Sequence, residues 1–262
     1  MTKVAITAML DYTLPKAADV LLAVEAIPMA DQQLVTDLLT VAGSGPLTTI
    51  EGMDGLGRRT WFHAEGRIGI SYNATVNIVD RQPMAIAGLD TVPHIELPPA
   101  YIQYLTPSRY CPSDRHEYFV STRFDAATKG DKVLQMAEWI YDYIEYAPGA
   151  SPIGSTATDT FISRRGVCRD FAHLLITFAR AADIPARMVS AYAPNINPPD
   201  FHAVVEVYLD GRWHLVDPTR LAREEQLVRI AVGRDATDIS FMTIFGSAEM
   251  ISQSVIVDLQ RD

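Results

Sequence analysis

The segment that most constrains the fold is residues 168–182, which is apolar at most of its positions. Its apolar side chains recur at helical spacing and comprise Phe171, Ala172, Leu174, Leu175, Ile176, Phe178, Ala179 and Ala182. Its narrow polar stripe consists of Arg169, His173, Thr177 and Arg180. A helix with so narrow a polar face is buried on most sides, so we expect the chain to fold around it. The run Asp183-Ile184-Pro185 ends the helical pattern and returns the chain to an extended form.

A lone cysteine, Cys168, occupies the predicted first turn of this helix. Unpaired backbone N–H groups and the helix dipole favour a thiolate at such a position. Asp170, in the same turn, also suits the dipole. A cysteine placed in this way becomes the nucleophile of a thiol enzyme if a histidine elsewhere in the chain can reach it.

The dipeptide Asp210-Gly211 separates two strand-like runs, 201–209 and 212–217. A two-residue Asp-Gly loop between alternating runs is among the strongest sequence indications of a β-hairpin. The sequence therefore predicts a hairpin whose register can be counted outward from the loop.

The predicted register brings one histidine and one acid together. It places Val204 opposite Asp217, and strand alternation then puts His202 on the same face as Asp217. The two are diagonal neighbours, roughly 7 to 8 Å apart at Cα, within reach of a histidine–carboxylate hydrogen bond. His214 falls on the opposite face. The pattern predicts Cys168 as nucleophile, His202 as base and Asp217 as the acid that orients the base.

In the chemistry that this set supports, the Cys168 thiolate attacks an amide carbonyl and forms a thioester. The backbone N–H of Cys168 would supply one donor to the oxyanion, whereas the sequence does not indicate a second donor. The alternative is that these three residues have only structural roles, because a cysteine, a histidine and an aspartate occur together in most proteins of this size. We interpret the remaining cysteine and histidines as structural or exposed, namely Cys111, His63, His94, His116, His173 and His214.

Composition narrows the class of protein. The 262 residues are 48% hydrophobic and 21% charged, as in a globular protein with a sizeable core. A net charge of -10 argues against nucleic acid or an anionic membrane as the main partner. The two cysteines lie far apart without metal-type spacing, and no signal peptide is evident, so we expect a reducing cytoplasm. We expect no cofactor and no metal ion, and a peptide, protein or other amide as substrate.

The chain divides into two predicted units. Residues 1–98 read as an N-terminal antiparallel β domain, with strands at 5–14 and 19–26 joined by a turn at Pro15, and a cleanly alternating strand at 69–80. The segment 34–41 fits either a strand or a short helix. A proline-rich connection leads to the second unit. The prolines of this connection are Pro93, Pro98, Pro99, Pro107 and Pro112.

Residues 99–262 read as an α+β core in which a central helix packs on an antiparallel sheet, followed by C-terminal strands. A helix is predicted at 129–146, with apolar residues at helical spacing. The loops 147–160 and 194–200 precede Cys168 and His202 respectively, so we expect them to line the substrate groove. The sequence does not indicate the oligomeric state.

The motifs GVCRDFAHLL (166–175), FARAADIPARMVSAY (178–192) and FHAVVEVYLDGRWHLVDPTR (201–220) resemble the transglutaminase-like superfamily. Over most of its length the chain also resembles, more loosely, the bacterial cysteine-protease branch of this superfamily, which has an N-terminal β domain. The resemblance implies a papain-like α+β core with Cys168 as nucleophile, His202 as base and Asp217 as orienting acid. Two positions depart from the usual pattern: Val204 stands where an aromatic residue is common, and Asp183 stands where glycine is common.

Together these features predict a thiol-dependent amide hydrolase, a cysteine peptidase or amidase. Two alternatives remain. The thioester could be captured by an amine, as in a transglutaminase, or the chain could be a non-catalytic scaffold that keeps the fold. No acidic loop with calcium-ligand spacing is present, so the resemblance does not imply activation by calcium.

Overall fold

A computed structural model of the chain describes residues 1–79, 81, 86–152 and 154–260. Its strands are β1 (Thr2–Leu22), β2 (Gln32–Ser44), β3 (Thr48–Glu51), β4 (Arg58–Ile78), β5 (Glu145–Tyr146), β6 (Arg165–Gly166), β7 (Ala186–Tyr192), β8 (His202–Leu209), β9 (Arg212–Val216), β10 (Val228–Gly233), β11 (Met242–Ile244) and β12 (Glu249–Gln260). Its α-helices are α1 (Glu117–Arg123), α2 (Lys129–Tyr143), α3 (Ala157–Ser163), α4 (Cys168–Ala181) and α5 (Ala236–Ile239). No helix in the described ranges is long and apolar enough to cross a membrane.

The predicted α+β fold is confirmed, with α4 as the central helix. Every residue of α4 from Asp170 to Arg180 is buried. Beside it lies a four-stranded antiparallel sheet in the order β10-β7-β8-β9. Val205 and Val207 of β8 share the main hydrophobic core with α4, whereas Val204 belongs to a second cluster on the other face. Both faces of β8 are therefore covered, which explains why all of its residues are buried.

The hairpin predicted around Asp210-Gly211 is confirmed in its register. Leu209 pairs with Arg212 and Tyr208 with Trp213, as counted from the loop. Both loop residues have positive φ angles, 49° at Asp210 and 73° at Gly211, as a tight hairpin turn of this type requires.

The second sheet contains β1, β2, β3, β4, β11 and β12, with β1 and β4 paired at its centre. The alternation predicted at 69–80 is present in β4 as far as Ile78, with Ile70 and Tyr72 buried and Asn73 exposed, and residue 80 lies outside the described residues. The predicted turn at Pro15 is wrong, because β1 runs without interruption from Thr2 to Leu22. The pairing with β4 shifts register between Leu14 and Ala18, and a proline is tolerated at such an irregularity because no ladder hydrogen bond is lost there.

The C-terminal strands extend the N-terminal sheet. Within the predicted unit 99–262, β11 and β12 both pair antiparallel with β1. β12 pairs with β1 along the run from Lys3 to Thr13. This strand lies beside β1 in the same sheet, and its Val255 is buried. The division at residue 98 stays a prediction.

A buried ionic cluster joins the two sheets. The Glu206 carboxylate of β8 accepts hydrogen bonds from Arg187 at 2.9 Å and from Arg229 at 2.7 Å. The same arginines reach residues of the N-terminal segment, Asp54 at 2.8 Å and Asp31 at 2.9 Å. Burial alone would raise the pKa of Glu206, but the positive charges of Arg229 and Arg187 hold it below its ordinary value.

This cluster generates a stability prediction. The substitution Glu206→Gln leaves two buried guanidinium groups facing a neutral amide, so we expect it to lower the free energy of unfolding by about 3–5 kcal/mol. Because the folded-state pKa of Glu206 is depressed, its contribution is present above the unfolded-state pKa and is lost as pH falls through the folded value. The difference in free energy of unfolding between wild type and variant should therefore become smaller at acidic pH. Urea unfolding at several pH values measures this difference.

A matched control is Glu145→Gln, which removes a pair with Arg165 whose two side chains are 66% and 55% exposed. Exposed pairs contribute about 0–1 kcal/mol, so this variant should unfold almost like wild type. An equal decrease in the free energy of unfolding for both variants would contradict the ionic role assigned to Glu206.

Candidate functional site

Cys168 is the first residue of α4, as the sequence predicts. The chain enters the helix through β6, which pairs in parallel with β5. The buried carboxylate of Asp170 accepts the backbone N–H of Val167 at 2.9 Å and so satisfies one free donor of the helix start. A Cβ atom on Gly166 would lie 2.6 Å from the Cβ of Asp170, so only glycine allows this close approach.

His202 begins β8, and Asp217 follows the last residue of β9. His202 Nε2 lies 2.8 Å from Asp217 Oδ2, and both side chains are almost completely buried. The predicted pairing of these two residues is therefore present in the structure. Since Nε2 faces the carboxylate, the ring has only Nδ1 left for a second partner, and the side chain of Cys168 lies close enough to this imidazole to affect its pKa.

The Asp217 carboxylate is held by several donors besides His202. The N–H and the hydroxyl of Thr219 donate to Oδ1 at 2.9 and 2.7 Å, and the N–H of Ala222 donates to Oδ2 at 3.0 Å. Arg220 lies between them with a φ of 57°, and this left-handed residue turns the chain around the carboxylate. Burial opposes the charge of Asp217, but these hydrogen bonds and the charge of His202 hold its pKa below the ordinary value.

The electrostatics of His202 follow from its two neighbours. Burial on its own disfavours the charged imidazolium, yet the hydrogen bond to Asp217 and the negative charges of Asp217 and Cys168 raise the pKa of His202 to about 10. The arrangement therefore favours a protonated ring between a carboxylate and a sulfur. Such a ring can stabilise a thiolate and can also deliver a proton.

Tyr146 is a further residue of the site that sequence reasoning missed. Its hydroxyl lies close to Cys168, and burial together with the charge of that sulfur raises the pKa of Tyr146 to about 12. The sequence predicts a helix over 129–146 that would include Tyr146. The predicted end of this helix is wrong, because α2 stops at Tyr143. Residues 145–146 instead form β5, a strand too short to show a period in the sequence.

The other histidines and the second cysteine lie apart from this cluster. His214 faces away from Asp217 and makes its hydrogen bond to the carbonyl oxygen of Leu209 at 3.1 Å. His173 is buried, stacks on Tyr110 and accepts the N–H of Ala236 at 3.1 Å. Cys111 is completely buried, and burial raises the pKa of its thiol to about 12, so it is an unreactive thiol. Within residues 1–79, 81, 86–152 and 154–260, no group of three His, Cys, Asp or Glu side chains is placed to hold a metal ion.

Comparison with known proteins places this site in a family. The family model for the transglutaminase-like superfamily matches residues 119–218, a range that contains Cys168, His202 and Asp217. A crystal structure from Cytophaga hutchinsonii, described as a candidate cysteine protease, is 34% identical with a TM-score of 0.91. That match covers 100% of this chain and 91% of the other.

Curated relatives come from mycobacteria. An uncharacterized protein of Mycobacterium leprae is 31% identical over 173 residues, which cover 61% of this chain and 61% of that protein. An uncharacterized protein of Mycobacterium tuberculosis is 28% identical over 142 residues, or 48% of this chain and 45% of the relative. The matched region thus spans less than two thirds of these relatives.

The full-length likeness to the Cytophaga hutchinsonii structure agrees with the family model and with the motifs around Cys168 and His202. The chain belongs to the transglutaminase-like superfamily.

Proposed function

We propose that the protein is a thiol-dependent amide hydrolase, a cysteine peptidase or amidase, with Cys168 as nucleophile, His202 as base and acid, and Asp217 as the orienting group. The observation that supports this most strongly is the buried His202 ring, which is hydrogen-bonded to Asp217 through Nε2 and has Cys168 close enough to help raise its pKa. A cysteine kept only for packing needs no charged partner, whereas a nucleophile does.

In the first half of the reaction, the Cys168 sulfur attacks the carbonyl carbon of the amide and a C–S bond forms. The carbonyl electrons move onto oxygen, giving a tetrahedral intermediate. When this collapses, the C–N bond breaks and His202 Nδ1 delivers its proton to the departing nitrogen. The products of this half are a free amine and a thioester on Cys168.

In the second half, neutral His202 accepts a proton from water as the water oxygen attacks the thioester carbon. The C–S bond then breaks, releasing a carboxylic acid and restoring the sulfur beside a protonated ring. Asp217 keeps the ring in one orientation throughout, because its two oxygens are held by Thr219 and Ala222 as well as by the imidazole.

Two donors converge where the oxyanion develops. One is the backbone N–H of Cys168, which at the start of α4 has no partner within the helix. The other is the Tyr146 hydroxyl, which lies close to Cys168. A carbonyl oxygen attacked by the Cys168 sulfur would lie close to both donors, so Tyr146 provides the second donor that sequence reasoning could not name.

Capture of the thioester by an amine is the second candidate, because the same intermediate serves both fates. The family name favours capture of the thioester by an amine. The likeness to a candidate cysteine protease over nearly the full length favours its hydrolysis by water. We therefore rank hydrolysis first.

Product analysis tests this function. Wild-type protein incubated with dimethylated casein and dansylcadaverine should release new amino groups and carboxylic acids, with little dansyl incorporation. Cys168→Ala should abolish release, while Cys111→Ala should retain it because Cys111 lies outside the site. Dansyl incorporation in place of hydrolysis would favour the transferase, and absence of any reaction that depends on Cys168 would overturn both.

The oxyanion role of Tyr146 gives a second prediction. Removal of one preorganised donor in Tyr146→Phe should lower kcat about 10²–10³-fold with a smaller effect on KM, since the bond strengthens only as charge develops. Steady-state kinetics on the same casein substrate provide the measurement, and Tyr143→Phe, which changes an exposed ring on α2, is the matched control. A fall in affinity without a fall in kcat would show that Tyr146 only binds substrate.

A further inference from the structure

Asp170 carries a completely buried carboxylate in the first turn of α4, and the proposed reaction does not use it. Its Oδ2 accepts the N–H of Val167 at 2.9 Å and the hydroxyl of Ser151 at 2.5 Å. Its Oδ1 accepts the guanidinium of Arg169 at 3.0 Å. A buried carboxylate is costly unless it is paired and hydrogen-bonded, and these contacts meet that requirement. Because both oxygens are engaged, the carboxylate is held in one orientation.

Arg169 connects this carboxylate to the loop before α3. Its Nη2 atom donates to Ser151 Oγ at 2.9 Å and to the carbonyl oxygen of Pro152 at 3.0 Å, in addition to its contact with Asp170. The Asp170 side chain is 0% exposed and that of Arg169 is 24% exposed, so solvent screens their attraction only weakly. The ion pair therefore holds residues 151–152 against the start of α4.

The contact between Asp170 and Val167 acts on the first oxyanion donor, the N–H of Cys168. One planar peptide group carries this N–H and the carbonyl oxygen of Val167. That carbonyl accepts the N–H of Asp170 at 2.8 Å, while the Asp170 carboxylate accepts the N–H of Val167. Val167 is thus fixed at both ends of its backbone by one residue. The carboxylate sets the direction of the Cys168 N–H without binding it.

The contact between Asp170 and Ser151 acts on the segment that carries the second donor, the hydroxyl of Tyr146. The backbone of Tyr146 pairs with Gly166 where β5 meets β6. Its ring lies against Phe171 of α4, with the ring centroids 5.8 Å apart. Ser151 then ties the loop that follows to the buried carboxylate. The segment from β5 to this loop is therefore held against the start of α4 at two points.

We propose that Asp170 is the positioning residue of the oxyanion site and that its carboxylate fixes both donors. It acts on the Cys168 N–H through the adjoining peptide and on the Tyr146 hydroxyl through the loop that Ser151 anchors. A misplacement of about 1 Å can cost about 100-fold in rate, so donors held in a fixed direction speed the reaction. This inference rests on the proposed hydrolase function and specifies how its oxyanion donors are held.

The test compares two rates in each variant. The first is kcat for cleavage of dimethylated casein, which depends on the oxyanion donors. The second is the rate of alkylation of Cys168 by iodoacetamide, in which the sulfur displaces iodide from carbon and no oxyanion forms. A residue that positions the oxyanion donors affects the first rate and spares the second. A residue needed only for folding affects both rates together.

Asp170→Asn keeps the shape of the side chain but replaces one acceptor oxygen by an NH₂ group, which cannot accept a hydrogen bond from Val167 or Ser151. We expect kcat to fall about 10- to 100-fold, as for the loss of one hydrogen bond to a charged group, with a smaller change in KM. Alkylation of Cys168 should not slow, because removal of a nearby negative charge favours the thiolate. Asp142→Asn, which changes an exposed carboxylate on α2, should behave as wild type.

Ser151→Ala covers the case in which Asp170→Asn does not fold, because it leaves the carboxylate and its contact with Arg169 in place. We expect kcat to fall about 10-fold and alkylation to keep the wild-type rate. Ser151→Thr retains the hydroxyl and should keep the wild-type kcat. Ser121→Ala is the matched control, since this exposed serine bonds only within α1 among the residues that the structure describes.

A double-mutant cycle tests the link to Tyr146. When Tyr146→Phe has already removed the second donor, Ser151→Ala should lower kcat by a smaller factor than it does in wild type. Equal factors in the two backgrounds would overturn this link.

The remaining outcomes separate the inference from the proposed function. A wild-type kcat in both Asp170→Asn and Ser151→Ala, or a fall in kcat matched by an equal fall in alkylation, would overturn the positioning role and leave the hydrolase function intact. Absence of any Cys168-dependent reaction of the wild-type protein on casein would overturn the proposed function itself.

Discussion

The hydrogen bond between His202 and Asp217 is the interaction on which the rest of the site depends. A buried imidazole loses its hydration and would ordinarily lose its proton. Here the carboxylate on one side and the sulfur on the other reverse that tendency and raise the pKa of His202 from 6.5 to about 10. That rise corresponds to on the order of 5 kcal/mol in favour of the charged ring. Without Asp217, burial would leave Cys168 beside a neutral histidine.

The N-terminal sheet supports this interaction from the other side of β8. Phe201, the residue before His202, stacks on Phe241 with ring centroids 4.7 Å apart. Asp200 accepts a hydrogen bond from Gln253 of β12 at 2.6 Å. These contacts come from the C-terminal segment that joins the N-terminal sheet, so the start of the histidine strand is held by both sheets. The ionic cluster around Glu206 fixes the same strand farther along.

Local chemistry explains which parts of this arrangement could be predicted from the sequence. An Asp-Gly loop determines the hairpin register, and the register determines which histidine lies beside Asp217, so that pair could be named in advance. The apolar pattern of 168–182 likewise predicts the buried helix. Tyr146 could not be found because its position depends on a two-residue pairing with β6, which is a long-range contact. The joining of β12 to β1 and the tolerance of Pro15 within β1 also depend on tertiary pairing.

The most direct measurement of the central claim is a ¹⁵N NMR titration of the histidine rings. His202 should remain protonated at pH 8 and titrate near pH 10, because Asp217 and Cys168 stabilise its charge. His214 is an internal reference, since burial lowers its pKa below the ordinary value. In Asp217→Asn the His202 midpoint should fall well below that of wild type. A wild-type midpoint near 6.5, unchanged in Asp217→Asn, would contradict the account.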